Sequence, residues 1–135
     1  MRENNFTGHL KVVIVDDSPV IAERVQALLS DLGNVAFMGV ARNTASALLL
    51  MNDHQPHVVI LDIHLEDDAP WINGMDLITT IRKTYPQVTI MMLTNLAGPQ
   101  YRIKALALGA DYFFDKSNDF HKIPETLKEF RQSKN

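Results

Sequence analysis

The 135-residue sequence contains no cysteine. That excludes a disulfide scaffold, a thiolate-bound zinc or iron–sulfur centre and a cysteine nucleophile, while leaving the redox compartment open. It also lacks any excess of positive charge, with 13 Lys and Arg against 16 Asp and Glu for a formal −3. No basic footprint for nucleic acid is present, so direct nucleic-acid binding by this chain is not expected. No apolar run approaches the roughly 18 residues that span a bilayer, and residues 1–11 carry no apolar signal-type core. These absences predict no membrane insertion and a cytoplasmic location. Repeats, low-complexity tracts and an interdomain linker are missing too. What remains is ordinary, with 46% hydrophobic and 21% charged residues in a chain a little under the about 150 residues of a typical domain. A single domain of this size buries roughly two-thirds of its extended surface and needs no staples.

The sequence does contain an alternation of short apolar runs with stretches of helical period. Val12-Val13-Ile14-Val15 is a β-branched run that stops at Asp16-Asp17. Ser18 and Pro19 then offer an N-cap and a first-turn proline to a helix carrying Val20, Ile21, Val25, Leu28, Leu29 and Leu32 up to Gly33. Residues 35–41 read as a second strand, followed by a helix capped by Asn43 or Thr44 that turns Ala45, Leu48, Leu49 and Met51 inward. A third run, 57–61, ends at Asp62; a fourth, 88–93, ends at Thr94; a fifth, 111–114, precedes Asp115-Lys116. Further helices are expected after Gly74, with Met75, Leu77, Ile78 and Ile81 inward, and after Pro99, with Ile103, Leu106 and Leu108 inward. The last runs from about Asp119 to Arg131, packing Phe120, Ile123, Leu127 and Phe130, with Pro124 disturbing its first turn. Near-continuously apolar strands are buried on both faces, which predicts an α/β fold with a doubly wound, five-stranded parallel sheet and helices on each side. Residues 1–9 are expected to form a flexible arm, 10–131 the domain and 132–135 a frayed tail.

Ligands of such sheets bind beyond the carboxyl ends of the strands. Asp16, Asp17, Asp62, Thr94 and Lys116 all fall there. Each alone is commonplace, since an Asp pair after a strand also serves as a turn and helix cap and a strand-end lysine is usually solvated. Their coincidence is the signal. Three carboxylates in one pocket repel one another unless a cation neutralises them. Magnesium suits best, because it takes one or two carboxylates while keeping waters and accepting phosphate oxygens. A lysine and a threonine hydroxyl at the same rim complement a phosphoryl group.

From about Leu10 to Arg131 the sequence resembles the receiver domain of two-component response regulators, in the stand-alone form of the chemotaxis response regulator. The motifs are Val15-Asp16-Asp17-Ser18-Pro19, Val58-Val59-Ile60-Leu61-Asp62, Pro70-Trp71-Ile72-Asn73-Gly74, Met92-Leu93-Thr94-Asn95 and the stretch from Gly109 to Lys116. The resemblance implies a flavodoxin-like strand order, 2-1-3-4-5. It implies that Asp62 is the phosphoacceptor, charged by a sensor histidine kinase, a phosphotransfer protein or a small phosphodonor. It implies that Asp17, Asp62 and the backbone carbonyl of His64 hold Mg2+, or Mn2+ as a substitute, with Asp16 acting mainly through a metal-bound water. Thr94 and Lys116 would contact the phosphoryl oxygens. Thr94 and Phe113 would form the switch that alters the surface of helix 4, strand 5 and helix 5 toward a downstream protein target. The family's usual tyrosine is Phe113 here, so a signal through its hydroxyl is lost. Such a receiver assists its own phosphorylation and dephosphorylation without being a dedicated enzyme, and both monomer and homodimer remain open.

The sequence departs from the family in one loop. The family places a proline four and a glycine eight residues after the phosphoacceptor, whereas Pro70 and Gly74 lie eight and twelve after Asp62. The four extra residues, within 64–69, read either as a tolerated surface insertion or as an acidic rim of Glu66, Asp67 and Asp68 that tunes metal affinity, donor choice or phosphoryl lifetime. His64 and Asn95 are candidates for controlling water access, and Trp71, the single tryptophan, lies nearby in sequence. Other readings are the receiver portion of a longer DNA-binding regulator and a magnesium-dependent aspartyl-phosphate phosphohydrolase. The latter would place a second acid two residues after its nucleophile, where this chain has His64. A flavodoxin-like cofactor carrier would want a Ser/Thr/Gly-rich loop where Asp16-Asp17-Ser18-Pro19 stands.

Overall fold

In the computed structural model, which describes residues 5–6, 8–65, 74–96 and 98–132, Leu10–Val15 (β1) has a strand on each edge and helices over each face, so Val12 to Val15 are all buried. In chain order there follow α1 (Pro19–Ser30), β2 (Val35–Ala41), α2 (Thr44–His54), β3 (Val58–Leu61), α3 (Gly74–Thr84), β4 (Thr89–Thr94), α4 (Pro99–Leu108), β5 (Tyr112–Asp115) and α5 (Lys122–Leu127). The sheet is wholly parallel in the order β2-β1-β3-β4-β5, the doubly wound α/β topology the sequence predicts.

Alternation along each strand divides the interior in two. Val13, Val15, Val59, Leu61, Ile90 and Met92 join one core cluster with Met51 of α2, Ile78 of α3 and Ala105 of α4. Val12, Ile14, Val58, Ile60, Met91 and Leu93 join the other with Val25 of α1 and Ile123 and Leu127 of α5. Successive side chains point to opposite faces, so an unbroken apolar run feeds both cores at once.

The helix ends largely follow their caps. Ser18 Oγ accepts the Ile21 N–H at 3.4 Å with Pro19 in the first turn. Asn43, rather than Thr44, caps α2 in a capping box with Ser46. Helical period located the elements better than it located their inward faces. Val20 is 71% exposed, Leu49 64% and Ile103 68%; the expected Val25, Leu29 and Met51 are buried, and they are joined by three alanines the pattern passed over, Ala22 of α1, Ala47 of α2 and Ala105 of α4. Small side chains let a helix approach the sheet, which a count of large apolar residues misreads.

The last helix is shorter than the expected span from Asp119 to Arg131. Lys122 and Ile123 donate to carbonyls three residues back, as do Glu129 and Phe130, so tight turns flank a six-residue α5. Pro124, lacking an N–H, reinforces the early break. Phe120, Ile123, Leu127 and Phe130 are nonetheless all buried, as the pattern predicts.

The expectation of a loose arm and a frayed tail differs from the structure at two points, since Asn5–Phe6 pairs in parallel with Arg131–Gln132. The ladder supplies partners for main-chain groups that a lone arm would leave to water. Among the described residues no helix is long and apolar enough to cross a membrane. Glu66, Asp67, Asp68, Pro70, Trp71 and Asn73 lie outside the described residues.

Candidate functional site

The strands end almost in register. Val15 pairs with Leu61, Leu61 with Met92, and Thr94 with Asp115. The backbone bonding continues one step beyond the strands: Asp16 N–H donates to Ala41 O, Asp62 N–H to Val15 O and Lys116 N–H to Thr94 O, at 2.9, 3.0 and 3.0 Å. Asp16, Asp62 and Lys116 are thus each tied through the main-chain N–H to a neighbouring strand.

Their side chains converge. Lys116 Nζ lies 2.8 Å from Asp62 Oδ2 and 2.9 Å from Asp16 Oδ2, with all three residues buried. At about 4.8 Å per strand, β5 stands roughly 10 Å from β3 and farther from β1, a gap that calls for a long cationic side chain. The second Asp62 oxygen, Oδ1, accepts the Ile63 N–H at 2.7 Å. Asp16 Oδ1 accepts the Ser18 N–H at 2.9 Å, which joins the site to the cap of α1. Burial pushes the Asp16 carboxyl above its usual range, against the Lys116 ammonium and the Ser18 N–H, which favour its charged form. Burial pulls the Lys116 ammonium down, but its hydrogen bonds to Asp62 and Asp16 outweigh this and carry it above the ordinary lysine value.

One carboxylate oxygen from each of Asp16, Asp17 and Asp62 lies within 4.8 Å of the others. With Lys116 as the ammonium in contact, this group of four side chains carries two surplus negative charges. An all-oxygen set with that surplus fits a hard dication that retains water. Asp17 is half-buried and lines a cavity of about 270 Å³ with Glu23, Val40 and Arg42, so the acidic rim is reached from solvent.

Thr94 is buried, and its Oγ1 accepts the Leu96 N–H at 3.1 Å, which shapes the chain leading to α4. His64 and Asn95 are exposed on the loops after β3 and β4. Phe113 is already buried in the core shared with α2, α3 and α4, and its carbonyl accepts Arg102 Nη1 of α4 at 3.2 Å.

Two residues stand out that the motifs did not single out. Arg82 of α3 donates to the carbonyls of Gly109, Pro86 and Val88 and to Asp111 Oδ2. It joins α3 to the start of β4 and the end of α4. Asp119 closes the turn after Lys116, where an Asp115-to-Asp119 spacing around Ser117-Asn118 was a readable turn signal.

The family model described as the response regulator receiver domain matches residues 12–128. The chain belongs to that family. This receiver is 26% identical over 123 residues to the transcriptional regulatory protein MalR of Bacillus subtilis (strain 168), covering 91% of this chain and 51% of that protein. It is 34% identical over 121 residues to protein-glutamate methylesterase/protein-glutamine glutaminase 1 of Carboxydothermus hydrogenoformans, covering 88% and 34%. The isolated REC domain of RcsB from Salmonella enterica serovar Typhimurium, solved with the phosphomimetic BeF3−, shares the fold with a TM-score of 0.81 at 21% identity, over 94% of this chain and 95% of that one. The receiver spans about half or less of the length of these two curated relatives.

Proposed function

We propose that Asp62 is the phosphoacceptor of this receiver, taking a phosphoryl group from a phosphohistidine on a sensor kinase or phosphotransfer protein, or from a small acyl phosphate. The observation that carries this reading is the buried contact of Lys116 Nζ with Asp62 and Asp16 at the carboxyl edge of the sheet. A carboxylate oxygen of Asp62 forms the new O–P bond as the donor's N–P or O–P bond breaks, and the electron pair leaves on the imidazole or the carboxylate. Transfer of this kind needs positioning and neutralisation of charge more than covalent help. Lys116 supplies a fixed ammonium beside the acceptor oxygen, and Thr94 a hydroxyl one strand away. Asp17, Asp62 and the His64 carbonyl would hold Mg2+, with Asp16 reaching it through water. That ion, when bound, offsets negative charge on the phosphoryl oxygens.

The output follows from what Thr94 already holds. Turning its hydroxyl from the Leu96 N–H toward a phosphoryl oxygen releases the chain leading to α4, while Arg102 ties α4 to β5 at Phe113 O. A local charge change thereby biases the surface of α4, β5 and α5 toward a protein target. His64 and Asn95, exposed on the loops after β3 and β4, and the acidic run Glu66, Asp67 and Asp68 act in this reading as regulators of water and metal access. The acyl phosphate is a signal state, which the receiver also helps to hydrolyse, and no other catalytic activity is proposed. Incubation with Mg2+ and acetyl phosphate followed by intact mass tests the assignment: wild type gains one phosphoryl adduct and Asp62→Asn gains none. An equal adduct on Asp62→Asn removes Asp62 as acceptor.

A further inference from the structure

β5 is an edge strand, and Lys116 N–H points inward to Thr94 O of β4. Parallel ladders alternate their donors, so the N–H of Asp115, one residue earlier, faces the open edge. Asp119 Oδ2 accepts it at 2.9 Å. The turn is closed several times over: Asp115 Oδ1 accepts the Ser117 N–H at 2.9 Å, Asp115 Oδ2 accepts Asn118 Nδ2 at 3.1 Å, and Asp119 N–H donates to Asp115 O at 2.8 Å. Asp119 Oδ1 also pairs with Lys122 Nζ at 3.2 Å. The next residue, Phe120, is buried, with the Arg24 guanidinium of α1 3.9 Å from its ring centre. Residues 115–119 thus form a closed loop around Lys116, anchored to α1.

We propose that Asp119 is a positioning residue for phosphoryl transfer: by capping the edge N–H of Asp115 it closes the 115–119 turn and holds the Lys116 main chain where its ammonium meets Asp62 and Asp16 before any donor arrives. The proposal rests on the reading of Asp62 as phosphoacceptor. A charge held in place beforehand removes reorganisation from the transfer step. Ser117 and Asn118 are exposed, and the bonds they make within the turn all end on Asp115, so the two aspartates are the acceptors that hold it. The Asp119 carboxyl lies below its usual range, chiefly because of the Asp115 N–H, and remains an ionised acceptor at neutral pH.

The test compares wild type, Asp119→Ala and Asp119→Asn for phosphorylation rate by acetyl phosphate at saturating Mg2+, for beryllofluoride affinity and for Mg2+ affinity by calorimetry. Asp119→Ala is expected to slow phosphorylation and weaken beryllofluoride binding by about 5–10-fold each without lowering Mg2+ affinity, because Lys116 shares carboxylates with the metal but is not itself a ligand. Asp119→Asn keeps an oxygen acceptor and is expected within about twofold of wild type. A wild-type rate in Asp119→Ala, an equal loss in Asp119→Asn, or a matching fall in Mg2+ affinity overturns the proposal. If circular dichroism shows Asp119→Ala unfolded, Asp119→Leu, which keeps bulk without an acceptor, is judged by the same criteria. A wild type that takes up no phosphoryl group overturns the Asp62 reading and this proposal with it. A normal wild-type adduct beside an unimpaired Asp119→Ala overturns the proposal alone.

Discussion

Gly74 rests directly on the backbone of Asp62: its N–H donates to Ile63 O at 2.6 Å, and a Cβ built on it would overlap the Asp62 carbonyl oxygen and come within 2.8 Å of Ile63 Cα. The chain that leaves the sheet after Ile63 therefore returns to the same point before α3 begins.

That contact makes Gly74 a sensitive position although it carries no chemistry. Gly74→Ala pits a methyl group against main chain, which has no soft rotamer to move. The expected cost is about 2–4 kcal/mol in urea unfolding, with slower phosphorylation because the carboxylate of Asp62 moves with its backbone. Stability within about 0.5 kcal/mol of wild type would show that the loop base shifts freely.

Lys116→Met removes the ammonium shared by Asp16 and Asp62. Two buried carboxylates then face each other, and without divalent cation the variant is expected to lose about 2–4 kcal/mol. Added Mg2+ should raise its melting temperature by more than it raises that of wild type, since binding to the folded state alone stabilises it. Phosphorylation should fall by about two orders of magnitude even with the metal bound. Equal responses to Mg2+ in the two proteins would mean that lysine and metal do not share these carboxylates.

At the opposite end of the sheet, His57 Nδ1 accepts the Lys11 N–H at 2.9 Å, an arrangement open only to the unprotonated nitrogen. Burial first, and the Lys11 charge second, lower the imidazole below its ordinary value. In the unfolded chain a histidine takes up its proton near about pH 6.5, before the folded one does. The contribution of this contact is complete above that pH and declines as pH falls through the lowered folded value. The unfolding free energy of wild type in urea titrations should drop between pH 7.5 and 5.5 by more than that of His57→Gln, by at most about 1 kcal/mol. Parallel profiles would exclude His57 as the group responsible.

Strands were readable because burial on both faces leaves an unbroken apolar run, and because each run stops at a polar residue; their order in the sheet came from the family resemblance. The same stops marked the site: Asp16, Asp62 and Lys116 are one residue past the ladder, where side chains leave the sheet. Helix faces were less readable. Exposed Leu49 and Ile103 outrank Ala47 and Ala105 in hydropathy, yet the alanines permit close approach to the strands. Arg82 and Asp119 act on backbone groups distant in sequence or hidden in a turn, and periodicity carries no record of such partners. Phe120 and Phe130 were placed in the core correctly but on a helix too long, since tight turns bury aromatic rings as well as a helix does.

The short ladder between Asn5–Phe6 and Arg131–Gln132 brings both ends of the described chain together, after α5 has run back from the carboxyl edge of the sheet. A fluorophore, affinity handle or surface tether joined at residue 5 or residue 132 therefore leaves from one shared pole. The acidic pocket faces solution at the other, where phosphodonors can be titrated on immobilised protein.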